Sequence, residues 1–155
     1  MPKYIKLIIS ILLCELAGIT GTLFTGNSLG WYYTLNKPFF RPPNWLFGPV
    51  WIILYVLMGI ALYLLWRRGF SSNDSKYALG IFIFQLIFNT AWSFVFFGER
   101  SIGGGLAVIL ILWVLIFLTI FAFYRVNNYA AYLLIPYLIW VSYASILNLS
   151  IWKLN

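Results

Sequence analysis

The sequence contains no histidine, a single cysteine and only three acidic residues, Glu15, Asp74 and Glu99. Without histidine the usual general base is gone, and so is the commonest ligand for metals and haem. No Ser-His-Asp set, carboxylate pair, metal cluster or phosphate-binding glycine loop can be assembled from what remains. Conventional hydrolysis, group transfer and metal catalysis are therefore excluded as expectations, and neither a metal site nor a required cofactor is expected. The lone Cys14 rules out an internal disulfide framework. Binding, transport, or redox chemistry on tryptophan and tyrosine is left.

Charge is scarce too, at 8% of residues, whereas 63% are hydrophobic. A soluble domain of 155 residues cannot hide that much apolar surface. A bilayer span takes about 20 predominantly apolar residues. Five such stretches fall at about 5–27, 46–66, 77–97, 104–124 and 130–151. The predicted fold is an all-α membrane protein, a single domain over 1–155 built as a five-transmembrane-helix bundle, with a structured loop between the first two spans.

The ten Lys and Arg residues cap these spans, as anchors for anionic headgroups do. No basic patch stands apart from a span end, so the net charge of +7 does not point to nucleic acid. Six of the ten fall on the N-terminal side and four on the other, too even a split to fix orientation. Lys3 and Lys6 before an apolar run imitate a signal peptide, but no small-x-small cleavage site follows, and the segment reads as an uncleaved first span.

Span 1 carries a stripe of small residues, Ser10, Cys14, Ala17, Gly18, Gly21, Thr22 and Thr25, read as packing within the bundle. The loop after it holds three prolines, Pro38, Pro42 and Pro43, and six aromatics from Trp31 to Trp45. It should be stiff without being regular and fold over the bundle mouth as a lid. The run Gly103-Gly104-Gly105 is expected to delay the start of the fourth helix, and Pro136 to kink the fifth.

Eight tryptophans are present, and Trp51, Trp92, Trp113 and Trp140 fall at membrane depth, away from the interface where tryptophan normally sits. Trp113 has only Ile, Leu and Val around it and is read as lipid-facing or packing. The other three share helical faces with polar or small residues. Gln85, Asn89, Trp92 and Ser93 form one face; Tyr137, Trp140, Ala144 and Asn148 a second; Trp51, Tyr55, Met58 and Gly59 a third. Facing one another they would enclose an aromatic slot with a few amide and phenol contacts, the usual build of a small-molecule site. Glu15 lies near mid-membrane, where an ionised carboxylate is expensive unless paired. It suits either a protonated group bonded to a neighbouring helix or the proton site of a transporter of hydrophobic compounds.

The run Trp31-Tyr32 … Lys37-Pro38 … Pro42-Pro43-x-Trp45 … Phe47-Gly48-Pro49-Val50-Trp51 … Leu54-Tyr55 resembles the signature of the TspO/translocator-protein family, the tryptophan-rich sensory proteins and peripheral-type benzodiazepine receptors. Asn89-x-x-Trp92 and Pro136-Tyr137-x-x-Trp140 … Ala144 … Asn148 resemble its third and fifth spans, so the likeness covers essentially the whole chain. It implies an integral multi-pass protein of a bacterial cell membrane, assembled as a homodimer. It also implies binding of porphyrins such as protoporphyrin IX and of isoquinoline- and benzodiazepine-type drugs. The expected ligand-binding set is Tyr32, Trp51, Tyr55, Asn89, Trp92, Tyr137, Trp140, Ala144 and Asn148. Lys37 and Arg41 would draw propionates to the mouth beside Pro42 and Pro43. By the same resemblance, Trp51 and Trp140 would carry any light- and oxygen-dependent porphyrin breakdown, with porphyrin as ligand or substrate. The mammalian cholesterol motif needs a tyrosine soon after the asparagine. Here Asn148 is followed by Leu149, Ser150 and Ile151, so the resemblance does not extend to cholesterol.

Overall fold

The computed structural model describes all residues from Met1 to Asn155 and contains helices but no strand. Five helices are long and apolar enough to cross a membrane, which makes the chain an integral multi-pass membrane protein. They are α1 (Lys3–Thr25), α3 (Phe47–Arg68), α4 (Asn73–Ser93, continued by a π-helical turn Phe94–Gly98), α5 (Ile102–Tyr124), and the pair α6 (Asn128–Leu133) and α7 (Ile135–Leu154). A short helix, α2 (Leu29–Thr34), follows α1. At about 1.5 Å per residue, the 23 residues of α1 reach about 35 Å, enough for a hydrocarbon core of about 30 Å.

Side chains fix the helix ends. Ser72 caps α4 by accepting from the Ser75 N–H, and Asn127 caps α6 by accepting from Tyr129 and Ala130. Ser101 accepts from the Gly104 N–H at 3.0 Å and thereby starts α5 at Ile102. The expected glycine delay is thus overturned, because the cap sets the start and the glycines serve packing. A Cβ on Gly105 would lie 2.9 Å from the Phe96 ring, and one on Gly104 2.9 Å from Val95. Pro136 acts as expected: the fifth span is broken at Leu134 into α6 and α7, with Pro136 in the first turn of α7.

In the ring of helices, α1 packs between α3 and α4, α5 packs against α4 and α7, and α6 closes the ring onto α3. The small-residue stripe of α1 works inside the bundle, as read from the sequence. A Cβ on Gly18 would lie 2.5 Å from the Tyr55 ring, and one on Gly21 would lie 3.1 Å from Ser93 Oγ. Thr90 donates to the Ala17 carbonyl at 3.3 Å. From the partner side, a Cβ on Gly59 would come within 2.5 Å of the Ile11 Cα. Met58, Leu65, Phe82, Phe123, Ile116 and Val141 fill a dry core toward the N-terminal end of α1. The other end of the bundle is hollow.

The segment between α1 and α3 lies across that hollow end. Its first part is helical, contrary to the irregular loop expected, with the Trp31 and Tyr32 rings both packed against Phe96. The rest is irregular, with Pro38 and Pro42 buried. Tyr143 on α7 donates to the Phe40 carbonyl, and Asn36 and Asn155 exchange hydrogen bonds of 3.1 and 2.9 Å. Arg100 reaches the Asn27 carbonyl at 3.3 Å from the turn after α4.

Candidate functional site

Beneath this segment lies a cavity of about 500 Å³. Its walls come from five elements: Glu15, Gly18 and Thr22 of α1, Tyr32 of α2, Phe47, Trp51 and Tyr55 of α3, Asn89, Trp92 and Phe96 of α4 and its π turn, and Ala144 and Asn148 of α7. Residues three and four apart share a helix face, which is why Trp51 and Tyr55, and likewise Ala144 and Asn148, reach the same space. Gly18 leaves room for the Tyr55 ring, so α1 closes the floor without filling it. Ile19, Thr22, Gly48 and Ile52 line the cavity and are exposed on the outside of α1 and α3, so it opens sideways between these two helices.

The polar groups around the cavity are largely bonded to one another. Tyr55 donates to Asn89 Oδ1, Asn89 Nδ2 donates to the Tyr137 hydroxyl at 2.7 Å, and Tyr137 donates to Gln85 Oε1 at 2.8 Å. Trp92 Nε1 donates to Asn148 Oδ1 at 3.0 Å, while Asn148 Nδ2 donates to the Ile102 carbonyl at 3.0 Å. These bonds tie α3, α4 and α7 together, as polar groups in hydrocarbon must be tied. The aromatic walls are equally fixed. Trp51 lies 5.7 Å from Tyr55 at 30°, and Trp92 stacks on Phe96 at 5.2 Å and 26°.

Of the residues expected at the site, seven line the cavity: Tyr32, Trp51, Tyr55, Asn89, Trp92, Ala144 and Asn148. Tyr137 lies one layer behind, 1% exposed, and meets the site only through Asn89 and the edge of Trp51. Trp140 is not in the wall. It stacks on Tyr143 at 5.6 Å and 14° and meets the edge of Phe47, with its buried Nε1 unpartnered. Tyr137 is held behind Asn89 and Trp140 against Phe47 and Tyr143, so the face read as continuous from Tyr137 to Asn148 enters the cavity only from Ala144 onward. Trp113 packs against the core, as read from the sequence, and stacks on Phe117. Its Nε1 donates to Ser142 Oγ at 2.7 Å, a companion on another helix that its own span could not reveal.

The basic residues of the segment do not line the cavity either. Lys37 donates to the Leu35 and Tyr33 carbonyls at 3.0 and 3.4 Å and sits 4.8 Å above the Tyr32 ring, closing the end of α2. Partial burial, reinforced by the Arg41 guanidinium, holds its ammonium below the usual lysine range. Arg41 and Pro43 are exposed and Pro42 is buried against the bundle. Wall residues not expected at the site from sequence include Phe47, Phe96, Phe97, Leu147 and Ile151. Their signal was present in the aromatic run before Gly98 and in the i, i+3, i+4, i+7 spacing of Ala144, Leu147, Asn148 and Ile151.

The profile of the TspO/MBR family matches residues 10–153. The chain belongs to the TspO/MBR family. Among relatives of this TspO/MBR protein, the tryptophan-rich protein TspO of Chlorobaculum tepidum is 45% identical over 154 residues, covering 99% of this chain and 98% of the relative. The tryptophan-rich sensory protein of Cereibacter sphaeroides is 37% identical over 142 residues, 92% of this chain and 86% of its own. The translocator protein of Bos taurus is 36% identical over 156 residues, 99% of this chain and 92% of its own. The cavity walls thus belong to a TspO/MBR bundle matched along nearly its full length.

Proposed function

We propose that the protein is a membrane receptor that takes planar, porphyrin-like tetrapyrroles and compact aromatic drugs of the isoquinoline and benzodiazepine types into this cavity. The observation that carries the reading is a space of about 500 Å³ at membrane depth, walled by Trp51, Tyr55, Trp92 and Phe96. Its volume lies within the roughly 300–1,000 Å³ common for small-molecule sites. Names borne by relatives, a sensory protein in one case and a translocator protein in another, agree with a ligand-responsive role. Flat rings would stack on the indoles, and each good aromatic contact adds about 0.5–1.5 kcal/mol beyond burial.

Titration with protoporphyrin IX in the dark should quench tryptophan fluorescence saturably. Trp51→Ala should weaken binding by about three- to tenfold. Unaltered affinity in that variant would remove Trp51 from the site. Light-dependent breakdown of the bound ligand belongs to the same reading. Trp51 would exchange an electron with the excited macrocycle, oxygen would be the oxidant, and Trp140 would stand behind Phe47 as a second oxidisable indole. Under illumination in air, Trp51→Phe with Trp140→Phe should retain binding and lose the bleaching of the porphyrin spectrum. Equal bleaching in the double variant would remove Trp51 and Trp140 from this chemistry.

A further inference from the structure

Glu15 is the only charged residue in the cavity wall. Its Oε1 is buried and has no hydrogen-bond partner. No side chain of the bundle bonds it. The neighbouring Tyr55 hydroxyl donates to Asn89, and the hydroxyls of Thr22 and Thr25, about two and three turns further along the same helix, donate to carbonyls of their own helix. The ten Lys and Arg residues stand at helix ends and in connections, away from mid-membrane. An ionised carboxylate left unpaired at this depth is costly, and a cation brought by a ligand would relieve that cost.

We infer that Glu15 anchors a subsite for lipophilic amines, compounds whose protonated nitrogen meets the Glu15 carboxylate while an aromatic body lies against Tyr55 and Trp51. The geometry suits such a ligand twice over. Gly18, one turn beyond Glu15, lets the Tyr55 ring lie against α1, so carboxylate and aromatic face border the same space. Trp51, 5.7 Å from Tyr55, extends that face toward the mouth. A cation between a carboxylate and two electron-rich rings gains from both. In a chain of net charge +7, an anionic group in the ligand space selects against anionic ligand ends and for cationic ones. The subsite rests on the reading of the cavity as a ligand site and adds a charge preference to it.

The test uses the full-length protein in detergent micelles and a matched pair of probes at pH 7. One probe is dimethylaminomethyl-pyrene, which is protonated. The other is isobutyl-pyrene, its neutral carbon isostere. Both are titrated by tryptophan quenching and corrected for partition into protein-free micelles. The wild-type protein should bind the amine about tenfold or more tightly than the isostere. That ratio should collapse in Glu15→Gln and survive in part in Glu15→Asp. Equal affinities in the wild-type protein would overturn the inference without recourse to any variant, and so would an undiminished ratio in Glu15→Gln. Protoporphyrin IX is titrated into the wild-type protein in parallel. Amine preference without porphyrin binding would leave the subsite standing and remove the tetrapyrrole reading.

Discussion

Asn89 shows how a single residue sets the site. It accepts from Tyr55 and donates to Tyr137, so one amide fixes two phenols on two other helices. Tyr137→Phe removes the hydroxyl that links Asn89 to Gln85 and leaves Gln85 Oε1 buried without a donor. A loss of about 1–2 kcal/mol is expected, read as a lower thermal midpoint in detergent. Its ring remains in place, so the cavity should keep its shape. The sequence made Asn89, Trp92 and Asn148 legible, because polar groups at membrane depth are rare and their spacing puts them on helix faces. Which atom bonds which was not legible. Pairing depends on the relative depth of α3, α4 and α7, and the periodicity of a single helix carries no information about depth. Trp113 and Ser142 make the same point from the other side, since neither residue's own span signals the other.

Between elements, glycine governs the distances. Gly59 faces the backbone of Ile11, and a Cβ there would lie 2.5 Å from its Cα, a contact no side-chain rotation can relieve. Gly59→Ala should therefore separate α1 from α3 and destabilise the bundle by about 1–3 kcal/mol, measured as earlier unfolding in a denaturant series. Stability equal to the wild type would show that the two helices are not held at this spacing. The glycines of α5 were misjudged from sequence for a related reason. A glycine that breaks a helix and a glycine that admits a neighbour have the same composition, and only the Ser101 cap and the nearby Phe96 and Val95 distinguish them. Pro136 was legible because its missing N–H acts locally. What holds Tyr137 and Trp140 outside the cavity wall, Asn89 on α4 and Phe47 on α3, lies on other helices and leaves no mark in the spacing of α7.

Taken whole, the bundle is asymmetric along the membrane normal, with a packed half on the side of the α1 N-terminus and a hollow half under the α2 segment. That segment is tied down at Phe40 by Tyr143 and at Asn36 by Asn155. Tyr143→Phe removes one tie without disturbing the cavity wall, and bound protoporphyrin should then dissociate several-fold faster in a stopped-flow displacement experiment, about 1 kcal/mol of barrier being lost. An unchanged off-rate would mean that the ligand does not leave past the segment. The other way out is the gap between α1 and α3, bordered by Ile19 and Ile52 at hydrocarbon depth. A ligand passing there is drawn from lipid rather than from water. Its rate of entry then follows the mole fraction of ligand in the bilayer, so spreading the same amount of ligand through more lipid slows the filling of the site in proportion.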